Sequence, residues 1–353
     1  MTTQHELALL RLVAQRLAGL REATVADAVR WLTAVQAQQL PGALTSVALR
    51  TTDGTRADVE AALKSGDVVR SWPMRGTLHL VAAEDLRWLL DLLAPRVLSA
   101  VTGRRTELGL DAAQYERALD LAAPALSSGR GLRRSALFAV WEDGGLSTAG
   151  QRGAHLLGQL AQTGAICLGP MDGAEQLIVL TDEWIGRPRQ LGRAEALAEL
   201  AVRFFRGHGP ATVEDLARWA GLRITEARAA LAAVRPDLAS LTVDGAEYFL
   251  DPRTSDLLAG CREEARGLFL LPGFDEFVLG YGDRRAQLDP QFADRIVPGG
   301  NGMFRATVVH DGRIVGTWGW TGRGAQRTVT ATPFTTFPDE LFAAIAEAAA
   351  RLP

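Results

Sequence analysis

Lysine is almost missing from this chain. Of its 38 basic residues only Lys64 is a lysine and the other 37 are arginine, so Schiff-base chemistry of the lysine type has a single possible carrier. Cysteine is nearly as scarce. Cys167 and Cys261 are the only two, too few and too far apart for a zinc motif or a disulfide framework, and both read as small core residues. No apolar run approaches the ~20 residues that span a bilayer, and the opening Met-Thr-Thr-Gln-His-Glu lacks the basic flank and apolar core of a signal peptide. The expectation is a cytoplasmic protein with no membrane partner. No Gly-x-Ser-x-Gly, His-Glu-x-x-His or glycine-rich phosphate loop occurs, so neither a metal nor another cofactor is expected.

What the chain does have is length and a core. With 353 residues, 47% of them hydrophobic, it can form two or three domains. Net charge is −3, so overall charge does not announce nucleic-acid binding. The arginines cluster instead, at Arg104-Arg105, Arg130 to Arg134, Arg187 to Arg193 and Arg284-Arg285. Each cluster reads either as solvated surface or as a phosphate contact.

Leu10, Val13, Leu17 and Leu20 predict a first amphipathic helix, and Thr24 caps a second carrying Val25, Val29, Leu32 and Val35. The second must end inside Trp31-Leu-Thr-Ala-Val-Gln-Ala-Gln-Gln-Leu-Pro41, because Pro41 pushes Leu40 out of the α region. Gln36 and Gln38 are two apart. On a helix they point to different faces; on extended chain they share one. If both serve one site, the backbone leaves the helix near Gln36. A neutral amide pair can hold a water or read a base edge, but cannot take a proton as a carboxylate does. Solvated glutamines at a helix end are the plain alternative.

Thr55 with Asp58 resembles a capping box for a third helix ending near Gly66, and Val68 to Arg70 with Thr77 to Val81 predict two strands. Three helices and a two-stranded ribbon is the winged-helix order. Ala83 to Leu98 follows as a helix kinked or broken at Pro95. The pattern returns with Arg133 to Trp141, a helix capped by Ser147 or Thr148 and running to Gln162, and strands Ala165 to Leu168 and Gln176 to Leu180 around Asp172-Gly173. Gln151, Arg152, His155, Gln159 and Gln162 are expected on the exposed side of that helix, where they suit phosphates and base edges. A third copy holds Leu197, Leu200 and Phe204, then Gly207-His208-Gly209-Pro210, a helix opened by Thr212 and Asp215, another capped by Thr225, and strands around Asp244-Gly245. Three degenerate copies predict tandem winged helices.

After a helix over Asp256 to Arg266 come the apolar run Leu268 to Leu271, Phe274-Asp275-Glu276-Phe277, and the glycine-rich Gly299 to Met303. Phe304 to Val309, Ile314 to Trp320 and Arg327 to Thr332 predict a three-stranded antiparallel meander, closed by a helix over Pro338 to Leu352. Asp275 and Glu276, as neighbours on a strand, diverge and read as structural or at most auxiliary to catalysis. The tip between Trp320 and Thr328 reads as an ordinary hairpin or as a minor-groove probe carrying Arg323 and Arg327.

Val35-Gln36-Ala37-Gln38, Met74-Arg75-Gly76-Thr77-Leu78-His79, Leu271-Pro272-Gly273-Phe274-Asp275-Glu276, and Asn301-Gly302-Met303-Phe304-Arg305 with Asp311-Gly312-Arg313 together resemble the bacterial winged-helix DNA glycosylases of the AlkZ and YcaQ type. Glutamine at position 38, where the YcaQ branch has aspartate, resembles the AlkZ branch linked to azinomycin resistance. The resemblance implies an α+β fold in which three tandem winged-helix motifs form a concave DNA channel, with a C-terminal antiparallel β-meander. Its segments fall at 1–105 with the Gln-x-Gln motif, 106–190, 191–253, and 254–353 with the DNA-probing hairpin. It further implies a monomeric, nucleoid-associated enzyme of base excision repair acting on double-stranded DNA with alkylated or crosslinked guanine. Gln36 and Gln38 would place the attacking water, and Arg75, Arg152, Arg323, Gln326 and Arg327 would contact DNA.

The residue chemistry agrees. N7-alkylated guanine is already cationic, so it leaves without an acid, and water needs only orientation and polarisation. A crosslinked base cannot swing into a deep pocket, so an open groove suits it. With one lysine, outside the motif, the expected product is an abasic site. A non-catalytic winged-helix DNA binder or transcription regulator is the alternative.

Overall fold

The computed structural model describes residues 2–322 and 327–353, so Arg323 and Gln326 lie outside the described residues. Two compact units divide the chain, one formed by 1–56 with 197–353 and the other by 57–196. Helices followed by a hairpin recur three times along the sequence: Gln4–Ala14, Val25–Leu32, Leu40–Ala48 and Arg56–Ser65 before Val68–Met74 and Thr77–Ala82; Ala112–Leu126, Arg134–Asp143 and Arg152–Gln162 before Ile166–Asp172 and Glu175–Leu180; Arg193–His208, Val213–Ala220 and Ile224–Val234 before Ala239–Val243 and Ala246–Leu250. The second and third groups follow the expected order of three helices and a hairpin, whereas the first carries an additional helix, Leu40–Ala48.

In the first unit, the helix Gln4–Ala14 is buried from Leu7 to Ala14, Arg11 included, whose guanidinium donates to the Pro210 carbonyl and to Gln287 as a buried charge requires. The periodicity through Leu20 overstates its length. Its end is a Schellman turn: Arg16 has φ +61°, and the N–H groups of Leu17 and Arg16 donate to the carbonyls of Leu12 and Val13. Leu20 is consequently 59% exposed. The helix Val25–Leu32 is capped by Thr24, which accepts from the Asp27 N–H, and Thr33 at φ +69° ends it. Extended chain follows at Val35–Gln36. Pro41 acts differently from expectation. It sits in the first turn of the helix Leu40–Ala48, where a residue without an N–H leaves no intrahelical bond unmade, so it starts a helix rather than stopping one.

The C-terminal sheet has four antiparallel strands where the pattern predicts three. Leu268–Leu271 joins the edge beside Thr307–His310, followed by Arg313–Thr321 and Thr328–Pro333. Asp311 and Gly312, with φ of 49° and 74°, make the tight turn between His310 and Arg313. The helix Asp339–Ala350 packs Ile345 and Ala349 on this sheet with Leu270, Val308 and Phe337. Under its other face, Leu9, Leu12 and Val13 of the first helix share a core with Leu271, Phe277 and Val309.

In the second unit the two hairpins join into one sheet through Arg70 and Leu168, an arrangement their turn signals do not encode. Trp141, Leu156, Leu160 and Ile178 share its core. Neither Ser147 nor Thr148 caps the helix Arg152–Gln162. That role falls to Gln151, at φ +77°, while the Thr148 hydroxyl donates to Glu142 at 2.6 Å. Similarly Thr225 lies inside the helix Ile224–Val234, whose N-cap is Arg223. The Thr212–Asp215 capping box is present as expected.

Candidate active site

The glutamine stretch is anchored by a carboxylate far away in sequence. The Gln36 backbone N–H donates to Glu276 Oε1 at 3.0 Å, and the Trp219 indole N–H donates to Glu276 Oε2 at 2.9 Å. His208 Nε2 lies 3.4 Å from the same oxygen, with its ring stacked on Phe204 at 4.9 Å. Burial alone would raise the Glu276 carboxyl. The charge and contact of His208, the Gln36 N–H and the Trp219 N–H outweigh it and hold the pKa at about 2. Glu276 is therefore an ionised acceptor at neutral pH.

Its neighbour Asp275 points elsewhere. Asp275 caps the helical turn Glu276–Leu279 by accepting from the Phe277 N–H. Its two oxygens also take Arg50 Nη2 at 2.8 Å and Arg50 Nη1 at 2.9 Å, and Oδ2 accepts from the Ser46 hydroxyl at 2.7 Å. Arg50 completes its donors on the Gln15 carbonyl and the Gln15 Oε1. Gln15 Nε2 in turn donates to the Glu276 carbonyl and to the Tyr281 hydroxyl, which donates to the His208 carbonyl at 2.7 Å. The two carboxylates diverge as expected, although from a helical turn rather than a strand. Between them they fasten residues 36–50 to 275–281.

Gln36 is half-buried and Gln38 exposed, with Ala37 fully buried between them. That alternation is the period of extended chain, so the helix is left before Gln36, as a shared face requires. Gln39 then lines a groove of 660 Å³ with Gly273, Met303, Phe304, Trp318 and Trp320. Gly273 has no room for a side chain there, since a Cβ would stand 2.6 Å from the Phe304 carbonyl oxygen. Trp318 and Trp320 meet edge to face, and the exposed Arg327 covers the Trp320 ring at 4.3 Å.

The other expected contacts that the structure describes, Arg75 and Arg152, belong to the second unit. Arg75 sits at the tip of the hairpin closed by Arg75 and Gly76 with φ of 56° and 71°, and its guanidinium donates to His79 Nε2 at 3.3 Å. Arg152 spends its donors on the carbonyls of Leu108, Gly109 and Ser147 and on Gln114. Of the face expected to be exposed, Gln162 is buried and Gln159 accepts from Arg105, because that side of the helix turns toward its own unit. Lys64 is exposed on the helix Arg56–Ser65. Sequence reasoning missed His208 and Trp219. Only the glycines around His208 hinted at the first, and Gly207 proves to be a close approach, since a Cβ there would stand 2.6 Å from the Trp31 carbonyl oxygen.

A family model described as DNA glycosylase AlkZ-like matches residues 29–353. The chain belongs to the AlkZ-like DNA glycosylase family. It is an enzyme that hydrolyses N-glycosyl bonds in DNA, and the reading as a non-catalytic regulator falls. Among AlkZ-like relatives, the interstrand DNA cross-link repair glycosylase of Streptomyces sahachiroi is 26% identical over 305 residues, 84% of this chain and 82% of the relative. The structure of Streptomyces sahachiroi DNA glycosylase AlkZ covers 99% of this chain and 96% of its own, with a TM-score of 0.81 at 24% identity. The AlkZ-like fold is therefore shared along the whole chain. No helix among the described residues is long and apolar enough to cross a membrane.

Proposed function

We propose that this enzyme hydrolyses the N-glycosidic bond of N7-alkylated guanine in duplex DNA, including one arm of an interstrand crosslink, with water positioned by Gln36 and Gln38. The observation that carries the roles is the hydrogen bond from the Gln36 backbone to Glu276. It commits that carboxylate to holding the main chain, so the polar groups of the motif are two neutral amides. A cationic leaving base needs no acid, and amides supply orientation and partial polarisation, whereas unmodified bases need more than that. The name of the Streptomyces sahachiroi relative supports a crosslinked substrate.

The segments 1–105, 106–190 and 191–253 are read as winged helices and 254–353 as the region bearing the DNA-probing hairpin. Arg327, beside Trp320, is assigned to DNA contact, with Arg323, Gln326 and Arg75. Arg152 is assigned to DNA contact as well, and to take that role it gives up the carbonyls of Leu108, Gly109 and Ser147 that it holds. The enzyme works as a monomer and is monofunctional, because its one lysine stands on a helix outside the motif.

The test is incubation of the pure protein with duplexes carrying N7-methylguanine or a nitrogen-mustard crosslink, followed by heating to cleave abasic sites. Strand scission without a borohydride-trapped adduct is the expected result. Tight DNA binding with no release from either substrate would sink the proposal.

A further inference from the structure

Glu276 is a buried ionisable side chain whose contact reaches the backbone of the glutamine motif itself. The strand that carries Gln36 is only two residues long. It is entered through Thr33 at φ +69° and left at the N-cap Gln39, and within its own unit the Glu276 carboxylate holds it at the Gln36 N–H. Glu276 is 0% exposed, with Oε1 on the Gln36 N–H and Oε2 on Trp219 and His208. Its own backbone carbonyl is held by Gln15 at 3.1 Å. No oxygen is turned to solvent, so it does not act as a base on water.

We infer that Glu276 is a positioning residue for hydrolysis, fixing the backbone at Gln36 and through it the direction in which the motif presents water. The inference rests on the proposed role of the glutamines. Its physical content is the geometry of an acceptor-only group. A carboxylate satisfies donors at both oxygens, whereas the isosteric amide of Glu276→Gln must turn its NH2 toward either the Gln36 N–H or the Trp219 N–H. One donor then faces a donor at a fully buried position. A shift of about 1 Å in a positioning group lowers a rate on the order of 100-fold.

The experiment is single-turnover excision of N7-methylguanine from duplex DNA at saturating protein, with DNA affinity and melting temperature measured on the same samples. Glu276→Gln is expected to lower the rate about 100-fold while Kd stays within about threefold and the protein remains folded at the assay temperature. Adding Trp219→Phe to Glu276→Gln removes the competing donor, lets the amide oxygen return to the Gln36 N–H, and should restore part of the rate. In a Gln36→Ala background, Glu276→Gln should add far less than its single effect, because both act through the same amide.

Should Glu276→Gln fail to fold, Trp219→Phe alone carries the test: a rate loss of severalfold at unchanged Kd supports the role, and a wild-type rate overturns it. Equal losses in rate and affinity, or effects that multiply with Gln36→Ala, would also overturn it. If Gln36→Ala is inactive while Glu276→Gln is wild-type, only this inference falls. A Gln36→Ala protein with full activity would instead remove the reading beneath it.

Discussion

Replacing Asp275 with asparagine should destabilise the unit that holds the glutamines by about 3–5 kcal/mol, the usual effect of deleting one partner of a buried ion pair. Arg50 and Asp275 are 1% and 0% exposed at their side chains. The carboxylate takes two hydrogen bonds from the guanidinium and one each from Ser46 and the Phe277 N–H. In Asp275→Asn one oxygen becomes an NH2 aimed at donors, and Arg50 is left charged and buried. The Phe277 cap survives on the remaining oxygen, so loss of capping, typically ~1 kcal/mol, adds little. For a unit of roughly 200 residues, each kcal/mol moves the melting temperature by about 2–4 °C, giving a fall of roughly 6–20 °C. Differential scanning calorimetry reads this directly. The double variant Arg50→Met/Asp275→Leu removes both charges and should lose less than Asp275→Asn alone. An Asp275→Asn protein that melts within about 2 °C of wild type would refute the reasoning.

Acid should weaken the fold through Glu276. Its folded pKa of about 2 lies below the ordinary 4.5, so its contribution is present above pH 4.5 and fades as pH falls toward 2. Urea midpoints should hold from pH 7 to about 5 and drop below, less steeply in Glu276→Gln; equal stability of the wild type at pH 3 and pH 7 would contradict this. Arg327→Ala should leave the melting temperature within about 1–2 °C, since the side chain is exposed. It should also reduce the slope of log affinity for duplex DNA against log salt by about 1, and an unchanged slope would remove Arg327 from the DNA contacts.

The parts of the fold that could be read in sequence are those fixed by residues a few positions apart. Asp244-Gly245 and Asp311-Gly312 adopt positive φ at both positions, as two-residue hairpin turns demand, and Thr212 with Asp215 is a capping box in the sequence and in the structure. Helix ends were less legible where non-glycine residues take left-handed conformations. Arg16, Thr33 and Gln151 do so, and nothing in their chemistry marks them. Pro41 shows the ambiguity of a single residue, since the same ring that bars a helix interior suits a helix start. The support of the candidate site was hidden for another reason: Gln36 and Glu276 are 240 residues apart, and Arg50 and Asp275 are 225 apart. Period and propensity carry no information at that range, which is why Glu276 could be singled out but its partner could not.

The most direct test of the central claim compares wild type with Gln36→Ala, Gln38→Ala and the double variant in single-turnover release of N7-methylguanine, with duplex affinity measured in parallel. The account predicts rates reduced by about 100-fold or more in the variants, with affinity within about threefold of wild type. A double variant that still releases the base at the wild-type rate would contradict it.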